Sequence, residues 1–147
     1  MFSNSEWDFV EEARVGRLAT ADIQGRPHAV PICFGVDNET KTIFSAVDEK
    51  PKSVEPTDLR RVRDIQDNPY VALIIDMYDE DWENLAWVQV RGTASLVLPG
   101  EEKHGMYVDK LKDKYNQYSD HDLTERPLIC IEPGHVVSWG LPRTDKR

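Results

Sequence analysis

The residues best placed to do chemistry lie between positions 50 and 63, where Lys50, Lys52, Arg60, Arg61 and Arg63 are offset only by Glu55 and Asp58. The local charge there is +3 in a chain whose total is −9, so the remainder carries −12. A positive island in an acidic protein can collect a small anion without drawing in polyanions generally. Pro51 stiffens the backbone between the two lysines. A helix that Thr57 can cap follows, and its free amide groups also favour phosphate. On the residues alone two readings stay open, an anion-binding loop and a solvated charged surface. For each arginine, ordinary helix surface is the expectation. Arg60 lies opposite the apolar stripe Leu59, Val62, Ile65 and can pair with Asp64 four residues on, while Arg61 and Arg63 flank that stripe.

The four tryptophans are the second resource. Trp7 reads as a helix-to-core anchor, Trp82 follows an acidic turn, Trp87 opens a long strand and Trp139 sits near the end. Aromatics left exposed stack on ring systems or fill subunit interfaces, although core packing is the default for each taken singly. Other chemistries lack their signatures. His28, His104, His121 and His135 show no metal-ligand spacing. The acidic run Asp76, Asp79, Glu80, Asp81, Glu83 has neither the glycine nor the alternation of a calcium loop. There is no GxSxG, no phosphate loop and no dinucleotide fingerprint. Nucleophilic catalysis is therefore not expected, and no catalytic residue can be named.

At 147 residues the chain is expected to form one domain over 1–147, and 39% hydrophobic with 31% charged content fits a soluble globular protein. The excess of acid disfavours nucleic acid and anionic membranes as partners. Cys33 and Cys130 stand in apolar runs far apart, which predicts two buried thiols rather than a disulfide. The acidic start Met1 to Asp8 is no signal peptide, and the longest aliphatic run, Val71 to Ile75, is too short to span a bilayer. A cytoplasmic protein without a membrane span is expected.

Around these residues the elements read as follows. Ser3 and Glu6 form a capping box for a short helix with Trp7, Val10 and Ala13 on one face. Val15 to Ala21, a turn at Asp22 to Gly25, and Pro27 to Val36 make a hairpin, and Thr42 to Val47 adds a third strand. A helix after Thr57 stops at Asn68-Pro69. Tyr70 to Met77 is apolar at nearly every position, which predicts burial on both faces. Ala86 to Leu98 is a long strand with a bulge or bend at Gly92, and Glu101 to Tyr115 a helix. Pro127 to Ile131 and His135 to Trp139 supply one or two closing strands. Six or seven strands in a meander, with three short helices, predict a small barrel in an α+β setting.

The order of these motifs resembles the pyridoxamine 5′-phosphate oxidase-like superfamily. Arg17 to Thr20, Gly25 to Pro27 and Val30 to Phe34 are similar to its opening hairpin. Ile43 to Ala46 followed by Lys50 to Lys52 is similar to its third strand and phosphate loop, Asp67 to Leu73 to its fourth strand, and Trp87 to Gly92 to the next. The resemblance runs from about Phe9 to Trp139. Within it, Glu11 to Thr20, Asp48 to Lys52 and Tyr78 to Trp82 resemble the subgroup of coenzyme F420-dependent oxidoreductases.

This resemblance implies an α+β, mainly β fold: a six-stranded antiparallel split β-barrel, flavin reductase-like, with short flanking helices. It implies a homodimer with cofactor sites at the interface and a small-molecule substrate. Carried over by position, Pro31, Ile32 and Cys33 would line the tricyclic ring, Ser45 and Ala46 would lie beside the ring and its side chain, and Lys50 and Lys52 would hold the phosphate with Arg60 helping. Trp87 and Gln89 would come from the partner subunit, and Trp139 would close the site. The cofactor implied is coenzyme F420, with FMN the alternative, and the chemistry hydride transfer carried by the cofactor. An arginine and a lysine of the true pyridoxamine phosphate oxidases are replaced by Val30 and Gly35, and their C-terminal substrate motif is missing, so vitamin B6 oxidation is not expected. Three competing readings keep the fold: an FMN-binding flavin reductase or oxidase, a non-enzymatic carrier or sensor of flavin, deazaflavin or haem, and a barrel whose dimer is structural only. For haem, His28 or Cys33 would be the axial candidates, without support from spacing.

Overall fold

The computed structural model describes residues 1–47, 59–120 and 122–142. Lys50, Lys52 and the expected cap Thr57 lie outside the described residues. Helix α1 spans Asn4–Glu12, and its capping box is present: the Glu6 amide donates to Ser3 Oγ at 3.1 Å and the Ser3 amide donates to Glu6 Oε1 at 2.9 Å. Trp7 is buried and its Nε1–H reaches Asn38 Oδ1 at 2.6 Å, which ties the helix to the turn that precedes Thr42. Strands β1 (Gly16–Ala21) and β2 (Pro27–Ile32) form the expected hairpin. The Asp22 carboxylate accepts the amides of Gln24 and Arg26 at 2.9 and 3.0 Å, and Gly25 supplies the φ of +81° that the turn needs.

The second strand departs from expectation. Pro27 to Val36 is not one strand but two, β2 and β3 (Gly35–Asp37), which pair with different neighbours. Strand β4 (Thr42–Ala46), helix α2 (Arg60–Asp67), β5 (Tyr70–Met77), β6 (Ala86–Val97), helix α3 (Glu102–Lys114) and β7 (Leu128–Trp139) complete the described elements, with 3-10 turns at Trp82–Asn84 and Asn116–Asp120. Among the described residues seven strands form one antiparallel sheet in the order β2-β1-β5-β6-β7-β4-β3, within the six or seven that the pattern predicts and one more than the resemblance implies. The two edge strands are neighbours in the chain, separated only by Cys33 and Phe34. A sheet whose opposite edges lie two residues apart has curled almost shut, which is the split barrel the motif order implied.

Two clusters fill it. Leu18, Ile43, Leu73, Ile75, Val88, Val90, Ile129, Ile131 and Phe34 pack inside the barrel. Phe44, Tyr107, Leu111, Leu128 and Cys130 form a second core under α3, with the Phe44 and Tyr107 rings stacked at 4.0 Å. Helix α2 buries Arg61 and Asp64 along with Val62 and Ile65, so Arg61 is not the surface residue expected. Asp64 explains part of this width: Thr20 Oγ1 donates to it at 2.7 Å and Arg60 Nε at 3.1 Å, fixing the helix to β1.

Strand β5 corrects a second expectation. Val71, Leu73 and Ile75 point into the barrel, but Tyr70 is exposed and Ala72 and Ile74 are half-buried. Among the described residues nothing covers the outward half of this apolar strand. The anticipated irregularity at Gly92 is present, but the extra residue is on β7: Arg91 pairs with His135 and Gly92 with Pro133, which leaves Gly134 bulged between them. A Cβ at Gly92 would meet the Glu132 carbonyl oxygen at 2.1 Å, so the close approach of the two backbones requires glycine there. Gly92→Ala is expected to lower unfolding free energy by about 1–3 kcal/mol in urea titration. An unchanged midpoint would show that the bulge is not needed.

Candidate functional site

The break between β2 and β3 poses a local problem, because Cys33 and Phe34 belong to neither ladder and their buried polar groups need partners. Side chains supply them. Ser45 Oγ donates to the Cys33 carbonyl at 2.7 Å from β4. The Phe34 amide donates to Tyr115 Oη at 3.1 Å, and the Phe34 carbonyl accepts from Lys114 Nζ at 3.0 Å. The single Tyr115 proton has two acceptors in range, the Arg14 carbonyl at 2.8 Å and the Phe34 carbonyl at 3.1 Å. The end of α3 thus clamps the seam where the barrel splits. Lys114 Nζ also sits 4.2 Å from the Phe34 ring centroid, and the Arg14 guanidinium 4.7 Å from that of Tyr115.

Burial, then the nearby Arg14 charge, pushes the Lys114 amine down to about 8, while Cys33 and Glu11 pull it weakly upward. Burial pushes the Tyr115 hydroxyl up to about 12 and the Cys130 thiol up to about 12, leaving the latter inert.

The seam gathers part of the expected site. Pro31 is exposed and pairs with Arg17 on β1, Ile32 is buried opposite Gly16, and Cys33 is half-buried. Ser45 is buried beneath them. Ala46 is buried on the opposite side of β4, among Tyr107, Val108 and Leu111, so its side chain does not share a face with Ser45. Arg60 is engaged by Asp64 and lies 3.9 Å from Asp22, turned toward the first hairpin.

Trp87, Gln89 and Trp139 come together elsewhere on the outward face. Trp87 stands opposite Trp139 and Gln89 opposite Val137. One row crosses five strands on that face: Pro31, Arg17, Ile74, Gln89, Val137. Pro31 and Gln89 are three strand spacings apart, roughly 14 Å. That exceeds the roughly 7–8 Å over which neighbouring side chains on a sheet touch. Within one chain the two groups share a face but do not meet.

Two connected shallow grooves open on this face. One is lined by Arg17, Ile74, Asp76, Trp87 and Gln89, the other by Asp76, Met77, Tyr78, Leu85, Trp87 and Trp139. Arg17 and Asp76 form an ion pair at 2.9 Å between them. Gly140 holds Trp139 in place: its φ is +84°, and a Cβ there would lie 2.0 Å from the Leu85 carbonyl oxygen. Sequence reasoning missed Gly140 and the whole seam clamp. A lysine at 114 and a tyrosine at 115 read as ordinary helix residues, and their bonds to Phe34 cross about 80 positions.

The sequence profile described as pyridoxamine 5′-phosphate oxidase matches residues 7–140. A 5a,11a-dehydrotetracycline/5a,11a-dehydrooxytetracycline reductase of Streptomyces rimosus is 28% identical over 142 residues, 95% of this chain and 84% of that one. The solved structure of the haem storage protein HutZ of Vibrio cholerae superposes with a TM-score of 0.70 at 18% identity, covering 92% of this chain and 91% of that one. An F420 reductase structure superposes with a TM-score of 0.64 at 22% identity, covering 88% and 94%. These superpositions concern the fold.

The titration of Lys114 has a signed consequence. The folded chain releases this proton near 8 and the unfolded chain near the ordinary 10.5, so the unfolded state binds more protons between those values. The burial cost is therefore fully present below about pH 8 and fades as pH rises. Above about pH 9 the raised Cys130 and tyrosine groups act the other way. Urea titrations should show the wild type gaining stability relative to Lys114→Met from about pH 7 to 9. A difference independent of pH would refute the half-buried amine.

Proposed function

The chain belongs to the pyridoxamine 5′-phosphate oxidase family, and we propose that it is an oxidoreductase that binds coenzyme F420 on a face shared by two copies. The cofactor, when bound, supplies the hydride for a small organic acceptor. The observation that carries this reading is the separation of the two candidate groups. Pro31 at the seam and the Trp87–Gln89 pair lie on one side of the sheet yet too far apart to meet on one ligand in a single chain. Antiparallel stacking of two such faces about a two-fold brings the seam of one copy to the Trp87 of the other. The outward row Ala29, Ala19, Ala72 and its neighbours Ile74 and Val137 give that contact a flat apolar centre.

The residues fit a flat, largely apolar ring. Pro31 and Ile74 offer apolar contact, Trp87 a ring face, and Gln89 an amide that can both donate and accept. Ser45 keeps the Cys33 carbonyl from turning outward, which holds the backbone along which the ring would lie. Lys50 and Lys52 are assigned to the anionic tail. The reductase name of the Streptomyces relative and the fold shared with an F420 reductase support this choice over FMN. The fold shared with HutZ supports a second reading, a non-enzymatic carrier of haem. Among the described residues no helix is long and apolar enough to cross a membrane, and the cytoplasm is the proposed location.

Protein purified from a host that makes both cofactors decides between these readings by its absorption spectrum. Deazaflavin absorption and fluorescence are expected; an FMN or Soret spectrum instead would overturn the assignment. The Lys50→Ala/Lys52→Ala double substitution is expected to weaken F420 binding by about 1.5–3 kcal/mol for each charge-assisted bond lost, read by fluorescence titration. Unchanged affinity would remove both lysines from the site.

A further inference from the structure

We propose that the groove between Trp87 and Trp139 selects its acceptor by charge, taking flat aromatic cations and turning anions away. This rests on the reading above, since it describes the acceptor end of the same face. The walls are aromatic and open. Tyr78 is 64% exposed, Trp139 54%, Met77 49% and Trp87 36%, a concentration of bare apolar surface where β5 and β7 end and β6 begins. Such a patch on one chain marks a contact for something flat.

Charge decides what that something is. Asp76 at the groove floor is already neutralised by Arg17. Beyond it the turn from Tyr78 to Asn84 carries Asp79, Glu80, Asp81 and Glu83 and no base. No described lysine or arginine pairs with those four carboxylates. The turn joins two residues that line the groove, Tyr78 and Leu85, which sets it at the rim, and it is ordered: Asp79 Oδ1 accepts the Asp81 amide at 2.7 Å, and Asp81 Oδ1 accepts the Glu83 amide at 3.1 Å at the start of the 3-10 turn. Arg17, committed to Asp76, is the sole lysine or arginine lining either groove among the described residues. The negative faces of two indole rings and an acidic rim that no described base pairs with act in the same direction. Both attract a planar cation and repel a planar anion. The basic stretch that serves the cofactor tail is separate in sequence, so one molecule can hold an anionic cofactor and prefer a cationic acceptor.

The test uses the full chain at low ionic strength with two three-ring probes of matched size, 9-aminoacridine as the cation and anthracene-9-carboxylate as the anion, titrated by calorimetry. The cation is expected to bind about tenfold or more tightly than the anion. Trp139→Ala should remove most of that affinity while Trp139→Phe retains the preference, which separates a lost ring from a misfolded chain. Asp79→Asn/Glu80→Gln/Glu83→Gln should bring the two affinities within about threefold. Equal binding of the two probes, a preference untouched by the triple substitution, or binding that survives Trp139→Ala would each overturn the proposal. Neither probe needs the cofactor. Loss of F420 binding would therefore count against the proposed function, and loss of charge preference against this inference alone.

Discussion

The fold depends on how two peptide units are satisfied. Cys33 and Phe34 are the point at which one run of extended chain leaves the β1 ladder and joins the β4 ladder, and neither ladder can bond them. Buried and unpaired, such groups cost on the order of 1–3 kcal/mol each. Ser45, Lys114 and Tyr115 take them instead. Because these partners come from β4 and from the end of α3, the seam closes only when the second core has formed around Tyr107 and Leu111. The barrel and the helix that covers it are therefore one cooperative unit. The residues best placed to line a ring are also those that the closure fixes.

The same break explains the sheet's asymmetry. Its inward face is complete, with Leu18, Leu73 and Val90 fully buried in a row across three strands. The outward face carries Pro31, Ile74 and Val137 with Arg17 and Gln89 in one row and Ala29, Ala19 and Ala72 in the next, and among the described residues nothing lies on it. Under the proposed function a second copy would cover this face, and the unequal placing of seam and tryptophans would become the geometry of a shared site. At the edge of that face the grooves change character, from the Arg17–Asp76 ion pair to an acidic turn with no described basic partner.

Much of this was legible in the residues. The Ser3–Glu6 box, the Asp22–Gly25 turn and the Asn68-Pro69 stop are local, and each forms as its residue types require; Gly92 marked an irregularity whose cause, the Glu132 carbonyl, and whose bulged residue both lie on β7. The ordered motifs gave the barrel. What escaped was set by distance in sequence. Nothing near Phe34 announces that its partners sit at 114 and 115, so a run of extended residues read as one strand. Arg61 looked like helix surface because its burial comes from the sheet packed against α2, not from the helix pattern. Tyr70 to Met77 looked buried on both sides because composition does not say whether the second cover is the chain itself or another copy. Gly140 gave no signal, since its need for a positive φ arises from the Leu85 carbonyl.

The claim that one ligand is held by the seam of one copy and the tryptophan face of another is tested most directly by mixing two damaged proteins. One carries Lys50→Ala/Lys52→Ala and the other Trp87→Ala, unfolded together and refolded so that the copies pair at random. If the site is shared, half of the pairs are mixed and each has one undamaged site, so about a quarter of all sites should bind F420 with wild-type affinity. If the mixture binds only as the sum of the two damaged proteins, the site belongs to a single chain and the account is wrong.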